Sequence, residues 1–195
     1  MKKWSATVQF PTDSCFVARI VGATFGKSNS SDNPMVTIDW EVVSPSEYEI
    51  GGEMYNIAGV PTKTYHTSAV LPSNQNGLTQ EEADAKTADC QKRFTDPTDG
   101  LWPKLGLDPA TINWDNIDTR PLLGKLVLVQ MSPDVEEQRK NPTAAQIEAA
   151  KKQGVRAQGD LMKHPITGAK LIKYWPKIRE IFGLAPQQDG MQTPF

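Results

Sequence analysis

Several protein classes depend on residues that this sequence has little of. It holds two cysteines, Cys15 and Cys90, and two histidines, His66 and His164. Two thiols make no disulfide framework; a Cys15–Cys90 bridge stays open, and a reducing cytoplasm is the simpler expectation. No C-x-x-C or H-x-x-x-H spacing occurs, so no zinc site is expected. There is no P-loop, no dinucleotide-binding glycine motif and no G-x-S-x-G elbow, and no cofactor is expected. The longest apolar run, Leu126-Val127-Leu128-Val129, falls far short of the ~18 residues of a membrane helix. Met1-Lys2-Lys3 could open a secretion signal, but Trp4-Ser5-Ala6-Thr7-Val8-Gln9 breaks the apolar stretch that should follow, so none is expected. A net charge of −2 names no partner.

What is present is a division of charge. Residues 1–138 carry 11 Lys/Arg against 19 Asp/Glu, a balance of −8; residues 139–195 carry 10 against 4, a balance of +6. A phosphate feels the nearby field rather than the total, so a basic segment in an acidic chain is either a polyanion site or a solvated face. With 14 glycines and 15 prolines among 195 residues, many short elements are expected rather than a few long helices.

Strand character dominates the first third. Residues 15–25 are rich in β-branched and aromatic types, with a bulge expected at Gly22. After the polar segment 26–34, Val36, Ile38, Trp40 and Val42 alternate with Thr37, Asp39 and Glu41, which completes an antiparallel hairpin with one wet face and Trp40 in the core. A third stretch begins at Gly51-Gly52 and includes Tyr55, Ile57, Val60 and Tyr65; Pro61 interrupts it and marks its far end as edge or loop. Thr79 and Glu82 form a capping box for a helix to about residue 94, with Ala83, Thr87, Cys90 and Phe94 on one stripe. Trp102, Leu105, Leu107 and Trp114 sit in short helical turns, and residues 124–131 return to strand. Asn141-Pro142 opens an alanine-rich helix ending near Gly154, whose one large apolar residue is Ile147, so it reads as an exposed insertion. A turn at 164–168 leads to a last strand, 169–175, a terminal turn, 178–182, and a disordered tail from Leu184.

The expected fold is mainly β with helical insertions: a five-stranded Greek-key barrel of the oligonucleotide/oligosaccharide-binding (OB) type, with a helix between strands 3 and 4. One domain is expected over 1–183, with insertions at about 78–117 and 133–165, followed by the tail 184–195. A generic α+β domain is the alternative, since nothing in the sequence closes a barrel.

An OB barrel meets its ligand with strands 2–3 and the 1–2 and 4–5 loops. The window Lys170 to Arg179 mixes cations with Tyr174 and Trp175, as single-stranded nucleic acid requires: cations track phosphates and rings stack on bases. Alternation sends one of those two rings to the core. The candidate nucleic-acid-binding residues are Arg19, Lys27, Tyr55, Lys63, Tyr65, Arg156, Lys163, Lys170, Lys173, Tyr174, Trp175 and Lys177. Asp39 and Glu41 share a strand face and could hold Mg²⁺ for a nuclease, although no lysine follows at close spacing.

The segments Val17-Ala-Arg-Ile-Val-Gly-Ala-Thr-Phe-Gly-Lys-Ser28 and Asn33-Pro-Met-Val-Thr-Ile-Asp-Trp-Glu-Val42 resemble the first hairpin of a family of small bacteriophage OB-fold proteins. Leu123-Gly-Lys-Leu-Val127 and Thr167-Gly-Ala-Lys170 resemble that family's fourth strand and final hairpin. The helices at 79–94 and 142–153 depart from a minimal OB domain. The resemblance implies a single-stranded-DNA-binding accessory of replication and recombination, working without sequence specificity in the host bacterial cytoplasm. Separately, the closing Pro194-Phe195 resembles the end of single-stranded-DNA-binding proteins and implies docking of replication partners, although Asp189 alone stands for their acidic run. The expected function is therefore non-enzymatic binding of single-stranded DNA. A structural or adaptor protein of a phage complex is the alternative, and a nuclease at Asp39 and Glu41 ranks below both.

Overall fold

Alternation of apolar side chains builds the central sheet. The computed structural model describes residues 1–72 and 77–186. Strand β1 is Lys2–Lys3, β2 is Ser14–Lys27 and β3 is Pro34–Ser44. Next come β4 (Glu47–Ile50), β5 (Glu53–Asn56) and β6 (Pro61–Thr67). Helices α1 (Gln80–Thr95) and α2 (Leu101–Lys104) precede β7 (Leu126–Glu137); α3 (Ala144–Lys152) precedes β8 (Ile172–Leu184). The chain is thus mainly β, with three helices and two sheets among the described residues.

The main sheet has the order β6-β3-β2-β7-β8, and every neighbouring pair is antiparallel. The two edge strands therefore run in the same direction. They meet where Thr62 Oγ1 donates to the Pro176 carbonyl at 2.6 Å, but no ladder joins them. The expected barrel is accordingly not closed by backbone pairing. A second sheet, β1-β5-β4, stands where the sequence suggests a single third stretch from Gly51-Gly52 to Tyr65, interrupted at Pro61. Instead, Tyr55 and Tyr65 lie in different sheets.

The core forms where the alternation placed it. Val36, Ile38, Trp40 and Val42 on β3 are all buried, with Phe16, Ala18 and Ile20 from β2 and Val127, Val129 and Met131 from β7. The Trp40 indole N–H donates to Thr64 Oγ1 at 2.9 Å, so the largest core residue leaves no unpaired donor. The β2–β3 register shifts between Ile20 and Gly22, confirming the bulge; a Cβ at Gly22 would meet Asp39 Oδ2 at 2.9 Å. The capping box of α1 is formed: Thr79 accepts from Glu82 N and Glu82 Oε2 accepts from Thr79 N. Phe94, at the end of α1, packs on His66 of β6, Trp102 of α2 and Trp114.

The largest departures from expectation lie in β7 and β8. Both run past the expected boundaries and pair from Val127↔Leu184 out to Glu137↔Ile172, forming a hairpin that continues beyond the sheet as an arm. The terminal turn expected at 178–182 is part of β8, and Ala185 N donates to the Leu126 carbonyl, so the strand continues into the segment read as tail. Two isolated bridges, Arg139↔Leu161 and Lys163↔Lys170, carry strand-like pairing up the arm. Of α3, Ala150 is buried and Ile147 is 38% exposed.

Candidate nucleic-acid interface

Because side chains alternate across each strand, the residues opposite the core share the outer face. On β2, β3 and β6 the register sets Arg19 against Glu41, Asp39 against Lys63 and Thr37 against Tyr65. The Tyr65 ring is 64% exposed. Arg19 Nη1 lies 3.4 Å from Glu41, and Lys63 Nζ lies 2.9 Å from Asp39, a hydrogen bond that raises the lysine pKa. Each acid suggested for Mg²⁺ thus already faces a cation. Among the described residues, no group of three His, Cys, Asp or Glu side chains comes together as a metal site.

On β8, Ile178 and Pro176 point inward and are buried, which turns Lys173, Trp175 and Lys177 outward. Trp175 is 43% exposed and held in place: its Nε1–H donates to Glu136 at 2.7 Å, and Lys173 Nζ stands 5.9 Å from its ring centroid. Lys177 reaches Asp134 at 3.4 Å, and Arg179 donates to the Pro133 carbonyl. Farther along the arm, Lys170 and Arg139 both face Glu137, whose carboxyl is held below its usual pKa mainly by the Lys170 hydrogen bond. Tyr174 points to the opposite side from Trp175, with its backbone N–H donating to the Ala6 carbonyl.

The structure therefore brings together Arg19, Lys63 and Tyr65 on one part of the outer face, and Lys173, Trp175 and Lys177 on the adjoining edge strand. Lys163, Lys170 and Arg156 belong to the arm. Lys27, at the far end of β2, is at the opposite end of the sheet, because β7 and β8 leave the sheet beside the start of β2. Tyr55 is a correction: it is buried in the core and its hydroxyl donates to Glu53 at 2.8 Å, so it offers no ring for stacking. Pro194 and Phe195 lie outside the described residues. Of the candidate cations, Lys27, Arg156, Lys163 and Lys173 have no ion-pair partner among the described residues.

Sequence reading missed the acids that orient this surface, Asp134, Glu136 and Glu137. They are separated from Lys170–Lys177 by more than thirty residues, so only the strand register could have paired them. Cys15 and Cys90 are free. Among the described residues, no helix is long and apolar enough to cross a membrane. The chain matches no known protein family, no characterised protein and no solved structure.

Proposed function

We propose that the chain is a non-enzymatic single-stranded-DNA-binding protein with an OB-type core. It coats and protects single strands without sequence preference during phage replication and recombination in the host bacterial cytoplasm. Strand order supports the core reading. Numbered along the chain, the five long strands lie as 3-2-1-4-5, with strands 3 and 5 parallel and touching; an OB barrel has this order, here with the last seam unlaced.

The observation that carries the binding reading is the meeting of Lys63 and Tyr65 on β6 with Lys173, Trp175 and Lys177 on β8, across the Thr62–Pro176 contact. Exposed rings stack on any base at about 1–3 kcal/mol each, and the cations beside them follow the backbone. A fluorescence titration with oligo-dT and with duplex, with and without Mg²⁺, tests it. Preference for oligo-dT with no degradation is expected; equal affinity for duplex would sink the reading.

One observation favours a second reading. The Arg19–Glu41 and Lys63–Asp39 pairs leave part of the outer face near neutral, which suits an adaptor that binds protein in a phage complex. Absence of binding to either DNA leaves that reading. Strand cleavage dependent on Mg²⁺ would instead bring forward a nuclease at Asp39 and Glu41.

A further inference from the structure

The most exposed large apolar side chain among the described residues is Ile166, at 89%, on the tip of the arm. Its exposure is not that of a slack loop. His164 N donates to the Ala169 carbonyl at 2.8 Å and Gly168 N to the His164 carbonyl at 3.0 Å. Inside the turn, His164 Nδ1 faces the amides of Ile166 and Thr167, each at 3.3 Å. The Lys163↔Lys170 bridge closes the base of the turn. Turn tips usually carry polar or small residues; here a well-bonded turn holds a branched apolar side chain out in water.

The surroundings of that side chain are basic. Residues 139–171 contain seven Lys/Arg against two acids, Glu148 and Asp160; Glu137, just outside this segment, engages Arg139 and Lys170, which leaves five of the seven. Asp160 is engaged by Gln146 at 2.9 Å, and Lys163 has no ion-pair partner among the described residues. A nucleic acid drawn to such an arm offers phosphates to the lysines and one kind of apolar surface, the faces of its bases. In an intact duplex those faces are covered by stacking. At the junction between single and double strand, the last pair exposes one.

We propose that Ile166 is a wedge: it packs against the terminal base pair at a single-strand/duplex junction and unstacks it, so that the arm opens the edge of a duplex as the sheet takes up the released strand. Apolar side chains inserted at base steps act in this way elsewhere. The inference rests on the single-stranded-DNA reading above and adds to it a DNA structure that the outer face alone would not distinguish.

The test uses the full chain and a forked duplex carrying 2-aminopurine at the first paired position, with oligo-dT affinity measured in parallel. Wild type should raise the 2-aminopurine emission. Ile166→Asp should abolish the rise and weaken fork binding about tenfold, the effect of losing one buried isoleucine contact, while oligo-dT affinity stays within about twofold. Ile166→Leu should restore both signals. An unchanged rise in Ile166→Asp overturns the wedge, and so does a parallel loss on fork and oligo-dT, which would make Ile166 an ordinary strand contact. Ile166-dependent binding to vesicles containing phosphatidylserine, with no fork response, would make the tip a lipid-inserting loop and also overturn it. A wild type that binds oligo-dT but leaves the fork silent overturns the wedge alone; one that binds neither DNA removes the parent reading with it.

Discussion

At His66, burial opposes charge. The ring is partly buried beneath α1, edge-on to Phe94 at 6.3 Å, with Nε2 2.9 Å from Thr64 Oγ1, and desolvation pushes its pKa down to about 4. The folded state thus favours neutral imidazole more than the unfolded chain does. The resulting stability is present above the unfolded pKa of about 6.5 and is lost as pH falls from there to about 4. Urea unfolding at pH 7.5 and 4.5 should show a loss assignable to His66 of about 2 kcal/mol, less to the extent that the ring keeps solvent contact. His66→Gln should remove that part of the pH dependence; an unchanged difference between the two pH values would show that the ring titrates normally. Trp40 illustrates a different cost. Trp40→Phe removes the indole donor, but Thr64 keeps His66 as a partner, so the loss is mainly volume, about 1–2 kcal/mol. A loss above 4 kcal/mol by chemical denaturation would mean that the indole hydrogen bond matters more than its packing.

Among the elements, β8 shows how a proline can sit within a strand. The last strand was expected over 169–175, yet β8 runs through Pro176 and continues for eight residues beyond it. Its carbonyl faces β6 and accepts from Thr62, so its missing N–H also faces that unlaced seam rather than the β7 ladder, and the residue opposite it is Pro133. The arm has hydrogen bonds of its own, from Gln138 N to the Leu171 carbonyl and from Met162 N to the Gln138 carbonyl. A Cβ at Gly159 would collide with the Lys140 carbonyl, beside the bond from Lys140 N to Asp160 O. Gly159→Ala should therefore raise amide exchange at Lys140 and Met162 while leaving the amides of Ile20 and Val42 protected. Equal loss of protection in both places would show that arm and sheet unfold together. Replacing residues 142–153 by a short linker removes one buried residue, Ala150, and should shift the thermal midpoint by no more than about 3 °C, with weaker oligo-dT binding. Failure to fold would contradict the insertion's separate role.

For the whole molecule, electrostatics measures how much of the basic set faces a ligand. Arg19, Lys63, Lys170 and Lys177 are engaged by acids, whereas Lys27, Arg156, Lys163 and Lys173 have no acid partner among the described residues. If roughly 3–5 phosphates are neutralised, the logarithm of the oligo-dT affinity should fall against that of salt concentration with a slope of about −2 to −3.5. Measurable binding with a flat salt response would assign these cations to a solvated face. The cations without an acid partner among the described residues lie at both ends of the sheet, Lys27 beside the first hairpin loop and the others toward the arm, so a strand that reaches both must run the length of the sheet.

Local patterns were enough to determine the hairpin of β2 and β3, its bulge at Gly22, the burial of Val36, Ile38, Trp40 and Val42, and the capped start of α1. Each depends on residues within a few positions of one another, where periodicity and hydrogen-bond reach act directly. Tyr55 and Trp175 mark where that legibility ended. Both are aromatic residues in strand-like stretches, yet Tyr55 entered the core through the unforeseen β1-β5-β4 sheet, while Trp175 turned outward onto Glu136. The difference arises from the neighbour each strand finds and the register it takes, and so from the free energy of burying one whole face rather than from either residue's own preference. For the same reason only the tertiary structure decided that Glu136 and Glu137 would meet Trp175 and Lys170, that Pro176 could remain within a strand, and that the two edges of the main sheet would come into contact without lacing.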